Sequence, residues 1–398
     1  MLAFIIAPFL IALLIFIYIR TIKHIEVHNF YGVKTVEIII GSFLFGGIIF
    51  VITGFLLPKE MAIKRIFTQA GYYWIGFILY FFVGLVIALF FRLIIWIIRK
   101  NKGYDVKRAR DITLIFVILF TIQMSVYGIT NAHNLHITEY EITSNKKSKL
   151  DELNIVLISD LHLGYNVGKV EMIDMVKKIN SCNPDVVVLA GDIFDNEYEA
   201  IENPGEIIDI LSQIKTKYGK YATYGNHDIE EKILLGFTFN WSKESKTKVQ
   251  ADERMNQFVR DAGFEFLYDS SVMIADSVYI YGRPDAKKIN FGNMVRKTPE
   301  QIVENLDLDY EIICVDHQPS ELHELADVGV DLDLGGHTHN GQFWPGTISI
   351  KWFWENAYGL KKIDNMTSIV SSGVGLFGFN MRTGCFPEIV NIKLRFKK

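Results

Sequence analysis

The stretch that decides the fold is Asp185-Val186-Val187-Val188-Leu189-Ala190-Gly191-Asp192-Ile193-Phe194-Asp195. Its first part is a short run of apolar, mostly β-branched residues, and its length and flanks favour a buried strand over Asp185–Ala190. Its second part places two carboxylates directly after that strand, where open α/β sheets usually bind their ligands. The stretch therefore predicts an α/β protein with a polar site at a strand end.

Four further segments repeat this arrangement. They are Asp160-Leu161-His162, Gly225-Asn226-His227-Asp228, Asp316-His317 and Gly336-His337-Thr338-His339. Each follows a predicted strand, and the strands are Asn154–Ser159, Lys220–Tyr224, Glu311–Val315 and Val330–Leu334. Ten histidines occur in the chain, and five of the six that follow residue 160 lie in these segments. Polar residues of a few types are thus concentrated at the strand ends.

These residue types favour a site for two cations. Alternate residues at a strand end project to one side, so Asp160 and His162 can reach one ion, as can His337 and His339. Carboxylate, imidazole and amide groups together suit manganese, iron or zinc better than calcium or an all-thiolate site. The neighbouring glycines let the backbone turn sharply, so that the side chains point into one cleft.

The remaining pattern alternates between strands and helices. Lys169–Asn180 is predicted as a helix with Val170, Ile173, Val176 and Ile179 on one face. Val272–Tyr281 is predicted as one long strand, and Glu230–Lys248 as an insertion or a lid, because its pattern is weak. Further strands are predicted at Ile137–Ile142 and Ile389–Phe396.

The first third of the chain is predicted to be a membrane anchor of four transmembrane helices over residues 1–130. Its apolar runs are Leu2–Ile19, Val36–Leu57, Tyr72–Ile98 and Ile112–Ile129, each long enough to cross about 30 Å of hydrocarbon. The first run has the position of a signal peptide. It lacks a preceding basic residue, and three more runs follow, so we interpret it as a retained span.

The short loops predict the orientation. The loops after the first and third runs hold nine Lys and Arg, against three in the loop after the second, and the basic side faces the cytoplasm. This predicts a multi-pass protein of the cell membrane with an extracytoplasmic catalytic domain. Residues 131–398 hold 28 Lys and Arg against 40 Asp and Glu, a charge that argues against nucleic acid as a partner.

The five segments resemble the signature of the calcineurin-like metallophosphoesterase superfamily, namely D-x-H, G-D-x-x-D, G-N-H-D/E, H and G-H-x-H. The resemblance covers about residues 150–345. His337-Thr338-His339-Asn340-Gly341-Gln342 also resembles the G-H-T-H-G-G-Q of a membrane-associated bacterial branch, with Asn340 in place of a glycine. Some members of that branch hydrolyse UDP-2,3-diacylglucosamine. The resemblance implies a four-layer α/β/β/α sandwich over residues 151–398, joined to the anchor by a linker and first strand over 131–150.

The resemblance also implies the role of each residue. The first metal ion would be held by Asp160, His162, Asp192 and His339, and the second by Asp192, Asn226, His317 and His337. His227 would act near the leaving oxygen, oriented by Asp195. Two divalent ions would activate a water for in-line attack on phosphorus. No covalent phosphoenzyme is expected, because no nucleophile motif such as G-x-S-x-G occurs in the sequence.

Several features bear on the substrate, which we expect to be a phosphate monoester or diester. Apolar clusters lie at Leu234–Phe237, Phe343–Trp344, Trp352–Trp354 and Phe377–Phe379. They predict either ordinary packing or a rim that presents lipid-linked phosphates to the metals. Arg283 and Arg382 are candidate phosphate clamps, or else surface charges.

Two alternatives to an enzyme remain at this stage. The first is a catalytically silent, metal-containing module that senses envelope phosphates. The second is a small transporter with an accessory domain, against which the lack of intramembrane acidic residues argues.

Overall fold

The structure is a computed structural model of the chain. It describes residues 14–16, 18–19, 22, 33–99, 105–231, 233–234, 237–238, 252–285 and 296–398. The chain divides into two compact units. The helical unit comprises Met1–Thr130, Ile233–Phe239 and Gly378–Met381, and the α/β unit comprises Asn131–Lys232, Asn240–Phe377 and Arg382–Lys398.

The helices of the first third are α1 (Val33–Leu56), α2 (Ala62–Arg99) and α3 (Val106–Ala132). Two stretches among the described residues are long and apolar enough to cross a membrane, Ala62–Arg99 and Arg108–Ala132. The apolar part of α1, Gly41–Leu56, is shorter. The first predicted span, Leu2–Ile19, lies largely outside the described residues. The anchor of four spans therefore stays a prediction, with two of its spans matched by helices of sufficient length.

The α/β unit contains two six-stranded sheets. The first has the order β1-β14-β2-β3-β4-β7, with β2, β3, β4 and β7 parallel to one another. Its strands are β1 (His136–Ser144), β2 (Glu152–Ile158), β3 (Val186–Ala190), β4 (Lys220–Thr223), β7 (Glu265–Phe266) and β14 (Glu388–Phe396). Strand β14 pairs antiparallel to β2 and parallel to β1, so the end of the chain lies inside the sheet. The helical unit contains a small two-stranded sheet of β5 (Ile233–Leu234) and β6 (Phe237–Thr238).

The second sheet has the order β12-β13-β11-β10-β9-β8. Its strands are β8 (Ser270–Ile274), β9 (Val278–Gly282), β10 (Glu311–Val315), β11 (Leu332–Gly335), β12 (Gly359–Ile363) and β13 (Met366–Val370). The inner strands β9, β10, β11 and β13 are parallel, and the two edge strands are antiparallel to their neighbours. Parallel central strands bring several carboxyl ends to one edge of the sheet.

The alternation of side chains along the strands produces the layers. Leu153, Ile155 and Leu157 of β2 pack in a core shared with Ile313 and Val315 of the second sheet. The intervening residues of β2 face the other way, into a core formed with three helices. These helices are α4 (Lys169–Ser181), α5 (Pro204–Ser212) and α6 (Glu253–Asp261).

A further core covers the outer side of the second sheet with α7 (Pro299–Val303) and α8 (Leu322–Asp327). The four predicted layers are therefore present, as helices, sheet, sheet and helices.

Two local predictions were wrong. Val272–Tyr281 is a hairpin of β8 and β9, because Ala275 and Asp276 both adopt left-handed backbone angles, with φ of 49° and 48°, and reverse the chain. The helix over Lys169–Asn180 is present, but Val170 is 74% exposed.

The buried face of that helix consists of Met172, Met175, Val176 and Ile179. Methionine fills a core as well as aliphatic residues do. The apolar residues of this helix therefore fit helical spacing on two faces, and the sequence alone did not show which face is buried.

Candidate metal centre

All the predicted site residues lie in loops that follow parallel strands. Asp160 and His162 follow β2, Asp192 and Asp195 follow β3, Asn226 and His227 follow β4, His317 follows β10, and His337 and His339 follow β11. Three of these strands belong to the first sheet and two to the second. The carboxyl ends of both sheets therefore supply the site.

The structure brings the predicted site residues into three groups, within each of which the ligand atoms lie within 4.8 Å of one another. The groups are Asp160 with His162 and His339, Asp192 with His317 and His337, and His162 with Asp195 and His227. The first two correspond to the two predicted metal positions. Asp192 Oδ2 lies 3.1 Å from His317 Nε2 and 3.7 Å from His162 Nε2, so this carboxylate faces both positions.

The donor atoms have the spacing that a bound transition-metal ion requires. Neighbouring ligands that each lie about 2.1 Å from an ion are about 3.0 to 3.4 Å from one another. The nitrogens His162 Nε2 and His339 Nε2 are 3.0 Å apart, and His317 Nε2 and His337 Nδ1 are 3.2 Å apart. His339 Nε2 lies 3.4 Å from Asp160 Oδ1.

Asn226 Oδ1 is buried and has no hydrogen-bond partner, as expected for an atom that donates its lone pair to a cation. The residues present therefore fit two divalent ions.

Backbone strain is concentrated at these ligands. Asp160, His162, Asp192, His337 and His339 all have φ between 46° and 70°, in the left-handed region that side chains other than glycine rarely adopt. Each such residue costs of order 1 kcal/mol or more, and such residues cluster at functional sites. These backbone angles direct five side chains, from the loops after β2, β3 and β11, into one cleft.

Two glycines make room for the ligands. A Cβ atom on Gly225 would lie 2.2 Å from Asp192 Oδ1, and one on Gly336 would lie 2.3 Å from Asp160 Oδ2. Any larger residue at either position would displace a carboxylate. The glycine of each motif is therefore explained by close packing against a ligand from another loop.

The electrostatics of two candidate ligands, Asp192 and His339, suit the binding of a cation. Burial opposes ionisation of Asp192, but the neighbouring His317 and His227 outweigh it and hold the pKa of Asp192 well below its usual value. Burial, together with the charges of His162 and Arg382, holds the pKa of His339 well below its usual range. Asp192 is thus a carboxylate and His339 a neutral imidazole, the protonation states in which these groups bind metals.

His227 is oriented by a residue that the sequence motifs did not indicate. Its Nδ1 lies 2.5 Å from Asn196 Oδ1, whereas Asp195 Oδ1, the predicted partner, lies 3.9 Å away. Asp195 Oδ1 is closer to His162 Nδ1, at 3.7 Å. Asn196 is fully buried and its amide donates to the carbonyl of Ile229, so its oxygen is fixed as an acceptor. Asparagine has no strong place in the motif, which is why sequence reasoning missed it.

Asp228 connects two loops of the site through hydrogen bonds. Its Oδ1 accepts hydrogen bonds from the backbone amides of Ile193 and Phe194, and its Oδ2 accepts one from Gly225. Burial, reinforced by the charge of Asp192, raises the pKa of Asp228 to about 7. The last position of the Gly225–Asp228 motif therefore joins two ligand-bearing loops.

Aromatic rings flank the cluster on two sides. The ring of Phe377 lies 5.4 Å from that of His227 and 6.1 Å from that of His339. Gln342 holds the Phe377 backbone by accepting from its amide and donating to its carbonyl. On the other side, the Trp354 ring lies 5.1 Å from His337. The predicted apolar clusters therefore include two residues in direct contact with the candidate ligands.

Neither predicted arginine is available as an exposed phosphate clamp, since both are fully buried. Arg283 donates to Asp316 and Glu321 at 3.1 and 2.9 Å. Arg382 donates to the carbonyls of Ser372 and Gly375 at 2.8 and 2.7 Å. Both side chains donate hydrogen bonds to loops around the site. The predictions that they are phosphate clamps or surface charges were therefore wrong.

The sequence profile of the calcineurin-like phosphoesterases matches residues 153–341, the range that contains all the candidate ligands. The chain therefore carries a domain of the calcineurin-like metallophosphoesterase family, the metal-dependent hydrolases of phosphate esters. It is 26% identical to a transmembrane protein with metallophosphoesterase domain of Danio rerio, over 81% of this chain and 74% of the relative. It is 28% identical to an uncharacterized metallophosphoesterase of Aquifex aeolicus, over 69% of this chain and 97% of the relative.

A third relative is named for a reaction. It is the UDP-2,3-diacylglucosamine pyrophosphatase LpxG of Chlamydia muridarum, which is 25% identical over 52% of this chain and 68% of the relative.

Proposed function

We propose that the protein is a membrane-anchored phosphoesterase that uses two divalent metal ions, manganese, iron or zinc, to hydrolyse phosphate monoesters or diesters outside the cytoplasm. The observation that carries the proposal is the spacing of the donor atoms. Asp160, His162 and His339 form one ligand group and Asp192, His317 and His337 another. Asp192 faces both groups, which supports its role as the bridging ligand.

When bound, the two ions supply positive charge for the phosphate oxygens and an acidified water at neutral pH. The protein's own residues then decide where the ester lies. His162, His339 and Asp160 define one side of the cleft, and His317 and His337 define the other. The backbone amide of His227 donates to Asp192 Oδ1 at 2.8 Å, which ties the histidine that handles the leaving group to the carboxylate between the metal positions.

His227 supplies the proton for the leaving oxygen. Its Nδ1 is held by Asn196 Oδ1, an acceptor, so Nδ1 carries a proton and the other ring nitrogen, Nε2, is directed away from that bond. In the imidazolium form Nε2 carries a second proton, and its transfer to the alkoxide or phenoxide as the bond to phosphorus breaks leaves a neutral ring protonated at Nδ1. Phe377 lies against the His227 ring and keeps water from that side.

The silent binding module is less well supported. A sensor needs the ligands but has no use for a buried, oriented imidazole next to them, and His227 is only 6% exposed. The extracytoplasmic orientation rests on the basic loops alone. The names of relatives such as the Danio rerio protein support a membrane association, and the pyrophosphatase relative makes a lipid-linked phosphate substrate a reasonable one to test.

The test is hydrolysis of p-nitrophenyl phosphate and bis-p-nitrophenyl phosphate by the full chain in detergent with added manganese. Turnover of either ester supports the proposal, and the ratio of the two rates separates a monoesterase from a diesterase. Two bound ions without turnover of either ester would favour the binding module.

A further inference from the structure

Three large apolar side chains project from the α/β unit beside the candidate metal centre. Ile348 is 53% exposed, Trp352 is 77% exposed and Phe353 is 76% exposed. They lie on the short helix α9 (Gly346–Ser349) and the 3₁₀ turn that follows it, with the exposed Lys351 between them. We call these three residues the apolar patch. Side chains of this size grouped in water mark a surface that is covered in use.

The patch is connected through a chain of contacts to Asn131, the residue of α3 at which the α/β unit begins. Asn131 donates from Nδ2 to the carbonyls of Arg382 and Cys385 at 3.1 and 2.9 Å. Gly384 lies between those two carbonyls along the chain, and a Cβ atom on it would be 2.1 Å from Cγ2 of Thr347 in α9. Residues 382–385 therefore contact both Asn131 at the end of α3 and the helix α9 that carries part of the patch. The residues of α3 that precede Asn131, from Arg108, form an apolar helix of membrane-spanning length.

The patch is also joined to the metal centre. The segment that carries it continues into Trp354, whose ring lies 5.1 Å from that of the candidate ligand His337. Thr338, between the two histidines of that loop, donates to the carbonyl of Ala357 at 2.6 Å. The segment that carries the patch is therefore in contact with the candidate ligand His337.

We propose that the apolar patch inserts into the interfacial layer of the bilayer that holds α3, and that the metal centre acts on phosphate esters embedded in that bilayer. This rests on the proposed function. Tryptophan is enriched at membrane–water interfaces, and the adjacent Lys351 can keep its charged head in water while its stem lies along the apolar surface. Three side chains cover roughly 500 Å² at most, which is less than the ~800 Å² per partner that a stable dimer buries, so a second copy of the chain fits the patch less well.

The insertion is tested by fluorescence, independently of catalysis. The full chain and its Trp352→Phe variant are reconstituted in vesicles with plain or brominated acyl chains, because bromine quenches only nearby indoles. The difference in fluorescence between wild type and Trp352→Phe is the contribution of Trp352. We expect this contribution to be smaller in brominated vesicles than in plain ones. An unquenched Trp352 component would overturn the proposal, whatever the enzyme does.

The consequence for the substrate is tested with two diesters that share a leaving group. These are soluble bis-p-nitrophenyl phosphate and vesicle-embedded diacylglycerophospho-p-nitrophenol, both with manganese. The patch variant is Ile348→Ser, Trp352→Ser, Phe353→Ser. Its matched control is Val170→Ser, Ile173→Ser on α4, where the side chains are 74% and 47% exposed. We expect the patch variant to lose at least tenfold on the embedded diester and less than twofold on the soluble one, and the control to lose neither.

The outcomes separate the two proposals. If wild-type protein hydrolyses neither diester nor p-nitrophenyl phosphate, the proposed function fails, and the quenching experiment still decides the insertion. If wild-type protein hydrolyses both and the patch variant matches it on both, the inference fails alone. A patch variant that changes only from dimer to monomer in detergent would assign the patch to a second copy and overturn the membrane contact.

Discussion

The ring nitrogen Nδ1 of His227 lies 2.5 Å from the amide oxygen of Asn196. The family motif implies a carboxylate, that of Asp195, as the partner of this histidine, yet Asp195 is 3.9 Å from His227 Nδ1 and 3.7 Å from His162 Nδ1. Asp195 Oδ1 thus lies beyond hydrogen-bond distance of both imidazoles, and Asn196 is the residue that orients His227.

Asn196→Ala is expected to lower kcat about tenfold, through the loss of orientation of a general acid that contributes about 10² to 10⁴. The loss should be larger for a phenyl ester than for a nitrophenyl ester, since phenol is the poorer leaving group. Asn196→Asp retains an acceptor and should recover most of the rate. The double variant with His227→Ala should be no slower than His227→Ala alone, and a further loss on adding Asn196→Ala would contradict the pairing.

Gly225→Ala is expected to destabilise the protein by about 1 to 3 kcal/mol and to lower its metal content, because the new Cβ meets Asp192 Oδ1 at 2.2 Å. Gly205→Ala is the matched control, with no atom within 4 Å of its Cβ and a position in helix α5. It should be neutral or stabilising by up to about 1 kcal/mol. Thermal melting and elemental analysis of both variants check the prediction. Normal metal content in Gly225→Ala would contradict the prediction, because it would show that Asp192 can shift without loss of metal binding.

Removal of metal is expected to lower Tm by several degrees and to abolish activity, both restored by manganese. A ligand present at 100 times its Kd stabilises the folded state by about 2.7 kcal/mol. Asp192→Ala should melt at the same temperature with and without manganese. Asp276→Ala removes a carboxylate whose side chain is 79% exposed and should keep the full manganese response. An undiminished response in Asp192→Ala would place the ion elsewhere.

The free energy of unfolding is expected to decrease as the pH rises from about 4.5 to about 7, because of Glu311. Burial, reinforced by the charge of Asp331, raises the pKa of Glu311 to about 7, while Ser144 donates a hydrogen bond to it at 2.5 Å. The unfolded chain loses this proton near pH 4.5 and the folded chain only near pH 7, so the rise in pH favours unfolding, by no more than about 3 kcal/mol. Melting temperatures of wild-type and Glu311→Gln protein should diverge across this interval in favour of the variant. A constant difference from pH 5 to pH 8 would contradict the assignment.

The sequence predicted the fold because its strongest signals are local. Buried strands such as Val186–Ala190 are continuous apolar runs, and the polar residues that follow them stand out against that background. The β8–β9 hairpin was missed because its turn, at Ala275 and Asp276, contains neither glycine nor proline, the residues that mark a turn most strongly. Tertiary packing supports the left-handed angles at these residues, and a single sequence does not display it.

The candidate site was predictable as a set of ligand types and less so as a network. Asp160 and His339 belong to motifs with fixed spacing, whereas Asn196 becomes important only through its distance to His227. The same holds for Arg283, whose guanidinium group donates to Asp316 and Glu321, which are 33 and 38 residues away in the sequence. Long-range contacts of this kind leave no periodic pattern along the chain.

The central claim is that Asp192 and His227 belong to one two-metal hydrolytic site, and a single set of rates tests it most directly. Full-length wild-type, Asp192→Ala, His227→Ala and Asp276→Ala proteins are assayed with manganese on p-nitrophenyl phosphate and bis-p-nitrophenyl phosphate. We predict turnover of at least one ester by the wild type and by Asp276→Ala, a loss of at least 10²-fold in the other two, and reduced metal content only in Asp192→Ala. Wild-type protein that holds two ions yet hydrolyses neither ester, or His227→Ala at wild-type rate, would contradict the account.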